Sequence, residues 1–154
     1  MIHALSYIVF ILLFTSWIGW ELNKKFSLKT HWKWIAAAFI TGIIGSLIYG
    51  ANLDKFGNFL LHMSGGISAT FLFVYLIKTL KLKFVNWRLT LLVLFAFVSM
   101  LGVLNELAEY FFELLGFGIF SDDTHDTWRD FTANTIGMTV AWLFYSYLSL
   151  KINR

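Results

Sequence analysis

The chain has 154 residues, 58% hydrophobic and only 14% charged, with a mean hydropathy of +0.71. Soluble domains run at about 45–50% apolar and about 25% charged, so this is the composition of a membrane protein and the length of a single domain. The absence of cysteine excludes disulfides, thiolate metal sites and cysteine nucleophiles, and the net charge of +3 lies in short clusters between apolar runs, which reports membrane orientation and not nucleic-acid binding.

Five apolar runs, at about 5–20, 34–50, 56–80, 89–115 and 128–150, predict an all-α, integral membrane five-helix bundle forming one transmembrane domain over 1–154. The first run has no basic residue before it and no small-residue cleavage site after it. Asn23, Lys24 and Lys25 follow instead, which predicts a retained helix and not a cleaved signal. The second carries small residues at Ala38, Gly42, Gly45 and Ser46, which let a neighbouring helix approach closely. The third follows Asp54 and Lys55 and sets Asn58, His62, Gly65, Gly66 and Ala69 along one face. The fourth is long enough to tilt or to project past the hydrocarbon, and carries Glu106, Glu109 and Glu113 at i, i+3 and i+7. The fifth opens with Asp126, Asp130, Asn134 and Gly137 at i, i+4, i+8 and i+11.

Lysine and arginine alternate between the connections. Lys24, Lys25, Lys29 and Lys33 lie in the first, Lys78, Lys81, Lys83 and Arg88 in the third, and Lys151 and Arg154 at the C-terminus. The second has only Lys55, and the fourth has Arg129 among Asp122, Asp123, Asp126 and Asp130. The positive-inside rule then puts the N-terminus outside and the C-terminus in the cytoplasm.

Depth follows from the rise of an α-helix. At about 1.5 Å per residue from Arg88, Glu106 lies ~27 Å up the fourth helix, while His62 lies ~12 Å down the third from Asp54, and Asp130 and Asn134 lie ~6 and ~12 Å down the fifth from Asp126. His62, Glu106, Asp130 and Asn134 are thus expected to share one layer beneath the outer surface, with Glu109, Glu113, Asp54 and Asp126 above it in a polar funnel.

Carboxylates with one imidazole and no thiol form a hard-to-borderline ligand set, suited to zinc, manganese, iron, magnesium or calcium. His62, Glu106, Glu109 and Asp130 are the metal-ligand candidates. Without a metal, repulsion between desolvated carboxylates leaves a shared proton on them. As catalytic groups, Glu106 and Asp130 would polarise a substrate and Glu109 would serve as general base. Asn134, Asp126, Asp54 and Arg129 are the substrate-binding candidates. Plainer readings compete: Glu106 and Glu109 paired with Arg129 or Lys55, Glu113, Asp122 and Asp123 as solvated charges, and His62 as a buried histidine bonded across helices. His125 is a surface residue held in reserve as a ligand. Gly65, Gly66 and Gly137 are read as packing residues, and Trp20, Trp32, Trp34, Trp87 and Trp128 as interfacial anchors.

Asp54 and His62 in LDKFGNFLLHMSGG, the Glu-x-x-Glu of Glu106 and Glu109, and the Asp-x-x-x-Asn-x-x-Gly of Asp130, Asn134 and Gly137 stand in a fixed order over 54–137. In that order and spacing the chain resembles the VanZ-like and YjdF-like group of small bacterial membrane proteins. It carries SDDTHDTW where VanZ-like chains have a basic residue before the final Asp motif, and so stands nearer the YjdF-like side. The resemblance implies a multi-pass protein of the bacterial inner membrane, in the cell envelope.

Three functions follow from these residues. The first is an outward-facing site that binds a divalent metal or a proton and acts on, or binds, an envelope lipid or lipid-linked precursor. The second is a non-enzymatic ion, proton or lipid carrier; the few ionisable groups expected below Asn134 rank it lower. The third is an accessory subunit whose small-residue faces dock a larger membrane protein or another copy of the chain.

Overall fold

The structure, a computed structural model, describes Trp20 and residues 31–51, 55–116 and 124–152. Four α-helices lie among the described residues: α1 Trp32–Ala51, α2 Lys55–Thr79, α3 Trp87–Leu114 and α4 Thr124–Ile152. They correspond to the second through fifth apolar runs. The bundle is therefore seen as four helices where five are predicted, because the first run, at 5–20, lies outside the described residues except for Trp20. Asp54, Asp122, Asp123 and both chain ends lie outside them too.

Among the described residues, three helices are long and apolar enough to cross a membrane: α1, α2 and the part of α3 from Trp87 to Phe111. The last helix is longer than any of these but less apolar, since it begins at Thr124 and draws His125, Asp126, Arg129 and Asp130 into its first turns. The apolar run at 128–150 thus underestimates the helix by a turn of polar residues at its start.

Local chemistry sets the helix ends. Asn86 caps α3, its side chain accepting the Leu89 N–H at 2.9 Å, so the helix starts at Trp87 ahead of its apolar run. Lys81 ends α2 in the left-handed region, with φ 55°, and the Leu82 N–H reaches back to the Ile77 carbonyl at 2.9 Å. After α3, Gly116 takes φ 78°, a conformation that costs glycine little, and its N–H donates to the Glu113 carbonyl at 2.9 Å.

The second helix is the hub. It packs most extensively against α1 and α4, and less against α3. Its contacts rest on small residues. Gly45 of α1 faces Ser64 of α2, with no room for a Cβ, and Ser68 Oγ donates to the Ala38 carbonyl at 2.7 Å. On the other side, Gly66 lies on the backbone of Asn134 and Gly137 on the backbone of Met63, so α2 and α4 cross almost main chain to main chain. Close approach through small residues is the usual means by which helices associate where no hydrophobic effect drives them together. The small-residue stripe expected on the second run is therefore an intramolecular interface.

Around these crossings, Ile35, Ala38, Phe71, Leu72, Tyr75, Leu76 and Ala141 form one apolar cluster, and Ala69, Phe73, Leu94, Val98 and Met138 a second. Trp34 packs on Phe71 and edge-on against Tyr145, so it belongs to the first cluster and is not a free interfacial anchor. Trp32, Trp87 and Trp128 are exposed, as anchors should be. The outer surface carries Ile40, Ile44 and Leu47 on α1, Leu92, Phe95 and Leu107 on α3, and Leu143 and Phe144 on α4. Buried polar groups such as His62, Ser64, Ser68 and Thr70 lie on α2 instead. Polar inside and apolar outside is the distribution expected of a bundle solvated by lipid.

Candidate metal centre

Three helices bring one side chain each to a common point. His62 comes from the second turn of α2, Glu106 from the C-terminal half of α3, and Asp130 from the second turn of α4. One ligand atom from each lies within 4.8 Å of the other two. His62 Nε2 stands 3.3 Å from Asp130 Oδ2, with the two side chains only 9% and 4% exposed. The main-chain crossing at Gly66 and Gly137 makes this possible, because His62 lies one turn before Gly66 and Asp130 one turn before Asn134, which touches it. The meeting expected from depth counting therefore occurs for His62, Glu106 and Asp130.

Neighbouring groups hold the carboxylates. Asn58 Nδ2 donates to Asp130 Oδ1 at 3.2 Å, leaving Oδ2 toward His62. Thr127 Oγ1 donates to Glu106 Oε2 at 3.0 Å. Such partners fix the orientation of ligating groups and are half the design of a metal site. Asn58 is one turn before His62 on the same face, and Thr127 is at i−3 from Asp130. Spacing places both on the site's side of their helices, but the sequence reading assigned neither of them a role in the site.

The remaining candidates spread around this centre. Glu109 is at i+3 from Glu106 on α3, outside the convergent trio; its Oε1 accepts from Asn105 Nδ2 at 2.7 Å, and it lies near enough for its charge to act on Asp130. Arg129 forms an ion pair with Asp126, at i−3 on the same helix, and not with Glu106 or Glu109 among the described residues. Its Nε is buried and has no hydrogen-bond partner there. Asn134 is one turn beyond Asp130, its amide nitrogen beside Gly102 and its backbone against Gly66. His125 is exposed, and Glu113 is partly exposed on the last turn of α3. Asp54 lies outside the described residues.

Beside the carboxylates, between α3 and α4, lies a mostly apolar cavity of about 230 Å³; the polar funnel expected above them includes Asp54, which lies outside the described residues. Phe95, Val98, Ser99, Val103, Trp128, Phe131, Asn134 and Thr135 line it. The donor set of the trio itself fits a divalent cation. One imidazole and two carboxylates from three elements match what zinc, manganese or ferrous iron take, and each carboxylate has a partner that holds it in place. Compared with protein-family models, curated proteins and solved structures, the chain matches none.

Proposed function

We propose that the protein is a multi-pass membrane protein in which His62, Glu106 and Asp130 hold a divalent cation and act on, or bind, an envelope lipid or lipid-linked precursor. One observation carries this reading: three ionisable side chains from three helices converge within 4.8 Å in a bundle whose outer surface is apolar. Several ionisable groups gathered inside such a bundle are costly unless they have a purpose, and a shared cation would offset both their desolvation and their repulsion.

A divalent ion there would supply Lewis-acid polarisation of a phosphoryl or carbonyl oxygen, or a water activated near neutral pH. The protein's own groups supply the rest. Asn58 and Thr127 keep the ligating oxygens oriented, and Glu109, at i+3 from Glu106 and held by Asn105, is the group to act as general base. Arg129, with an unsatisfied buried Nε–H next to the centre, is the group to bind a head-group phosphate. Asn134 extends the site down α4. The positive-inside bias places this centre toward the outer face, with the C-terminus in the cytoplasm. The resemblance to VanZ-like and YjdF-like chains supports a bacterial inner-membrane location.

A second reading, favoured by the direct 3.3 Å contact between His62 and Asp130, is that the centre binds a proton in place of a metal. Elemental analysis of detergent-purified protein separates the two. A stoichiometric divalent ion that is lost in Glu106→Ala supports the metal site. Metal-free protein that also loses nothing in function in Glu106→Ala removes both.

A further inference from the structure

The cavity between α3 and α4 lies next to the carboxylate–histidine centre, one helical turn from it along each helix. Val103 is at i−3 from Glu106 on α3, and Asn134 is at i+4 from Asp130 on α4, so the cavity lies directly along the seam from the centre. Val98 forms its buried back wall, while Phe95, Val103 and Trp128 at its rim are exposed on the outer surface. In a bilayer this apolar surface would meet hydrocarbon, so the opening would be sideways into lipid and not into water. At about 230 Å³ it falls below the ~300–1,000 Å³ of pockets that enclose whole small ligands, and its lining is mostly apolar.

Length identifies the occupant. Phe95 to Val103, the stretch of α3 that lines the cavity, is eight residues, a rise of roughly 12 Å, within the roughly 15 Å of hydrocarbon in one leaflet of a bilayer. An acyl chain held within one leaflet's depth therefore fits along the seam with its head-group end toward the polar centre, one turn above Val103, whereas a polyprenyl chain is far longer than the seam. Trp128, packed edge-on against Phe131 at the upper rim, sits where tryptophan favours the head-group level.

We propose that the α3–α4 cleft is an acyl-chain slot, which admits one chain of a bilayer phospholipid sideways and so sets its head group beside His62, Glu106 and Asp130. This rests on the reading of those three residues as a lipid-directed centre, and names the half of the substrate that the centre does not touch.

The test is photo-crosslinking in nanodiscs of phosphatidylethanolamine and phosphatidylglycerol, doped with phosphatidylglycerol bearing a diazirine midway along one acyl chain. Labelled residues are mapped by mass spectrometry. The slot predicts several-fold more label on Ser99, Val103, Phe131 and Thr135 than on the equally lipid-facing Ile40, Ile44 and Leu47 of α1. Filling the cleft from either wall, with Ser99→Phe or Thr135→Leu, removes that excess while α1 labelling stays. Even labelling of both surfaces in the unaltered protein overturns the slot, whether or not the variants fold. Loss of cleft labelling when polyprenyl phosphate is added overturns the choice of occupant. The readout needs neither bound metal nor turnover: metal-binding protein without cleft labelling refutes the slot alone, and cleft labelling in protein that binds no metal refutes the metal centre alone.

Discussion

Gly66→Ala is the sharpest probe of how packing builds the centre. A Cβ at this position would stand 2.8 Å from the Asn134 carbonyl carbon and 2.9 Å from its Cα, and nearer still to its carbonyl oxygen. Carbon atoms rest at about 3.5 Å or more, so α2 and α4 must part by roughly 0.7 Å (3.5 less 2.8) or more. The obstacle is backbone on both sides, which no rotamer change relieves. Overpacking of this kind costs about 1–3 kcal/mol. In a chain of this size that lowers the melting temperature by roughly 2–12 °C. Asp130 lies one turn from the point of contact and moves with its helix, away from His62. Ligating groups tolerate displacements of only about 0.5 Å, so divalent-ion affinity falls in the same variant. The assay is thermal unfolding in detergent alongside ion binding by calorimetry. Gly50→Ala is the control, since a Cβ there meets nothing within 4 Å. If Gly66→Ala melts and binds like the unaltered protein, the main-chain crossing does not position the centre.

Other substitutions separate the components. Asp130→Asn keeps the shape and removes a charged ligand, so stoichiometric metal in elemental analysis should be lost while the helical circular dichroism is retained. Thr127→Val and Asn58→Ala leave all three ligating residues in place and should weaken ion binding by about 10–100-fold in competition with a chelator. Because a ligating carboxylate or imidazole must be deprotonated, affinity should fall as pH is lowered, and a pH-independent affinity would contradict coordination by these residues. Asn86→Ala removes the cap of α3 and should cost about 1 kcal/mol in unfolding without altering ion stoichiometry.

The sequence makes the convergence of His62, Glu106 and Asp130 legible because a membrane helix is a ruler. Apolar runs end at charged residues near the surface, and a fixed rise per residue turns position into depth. Depth alone does not give rotation. Glu106 and Glu109 are at i and i+3, which the sequence treats as one face, yet about 60° of rotation sends one to the centre and the other to Asn105 on its own helix. Thr127 and Asn58 were equally hard to assign. Threonines in such helices mostly bond back to their own main chain, as Thr41, Thr70, Thr132 and Thr135 do here. Only the approach of α3 gives the Thr127 hydroxyl a different acceptor. Nor is the cavity legible in the sequence: cavities form where helices separate, and here α3 and α4 part along a mostly apolar seam.

The distribution of small residues explains why that seam exists. α2 is pressed against α4 backbone on backbone through Gly66 and Gly137, and against α1 through Gly45, which sits on the Ser64 side chain, so both main contacts run through glycines. The third helix has one comparable position, Gly102, and it meets the Phe131 ring at 3.1 Å and the Asn134 amide at 3.4 Å, side chains and not main chain. α3 therefore stands off from α4, bridged near its upper end by the Thr127–Glu106 hydrogen bond. Removing that bond with Glu106→Leu leaves an apolar side chain with no partner on α4 and frees the upper end of α3 to move. A spin-label pair on α3 and α4 should then report a broader distance distribution, while a pair on α2 and α4, clamped by glycine contacts, stays narrow. Equal broadening of both pairs would show that the polar centre, and not the glycine crossings, holds the bundle together.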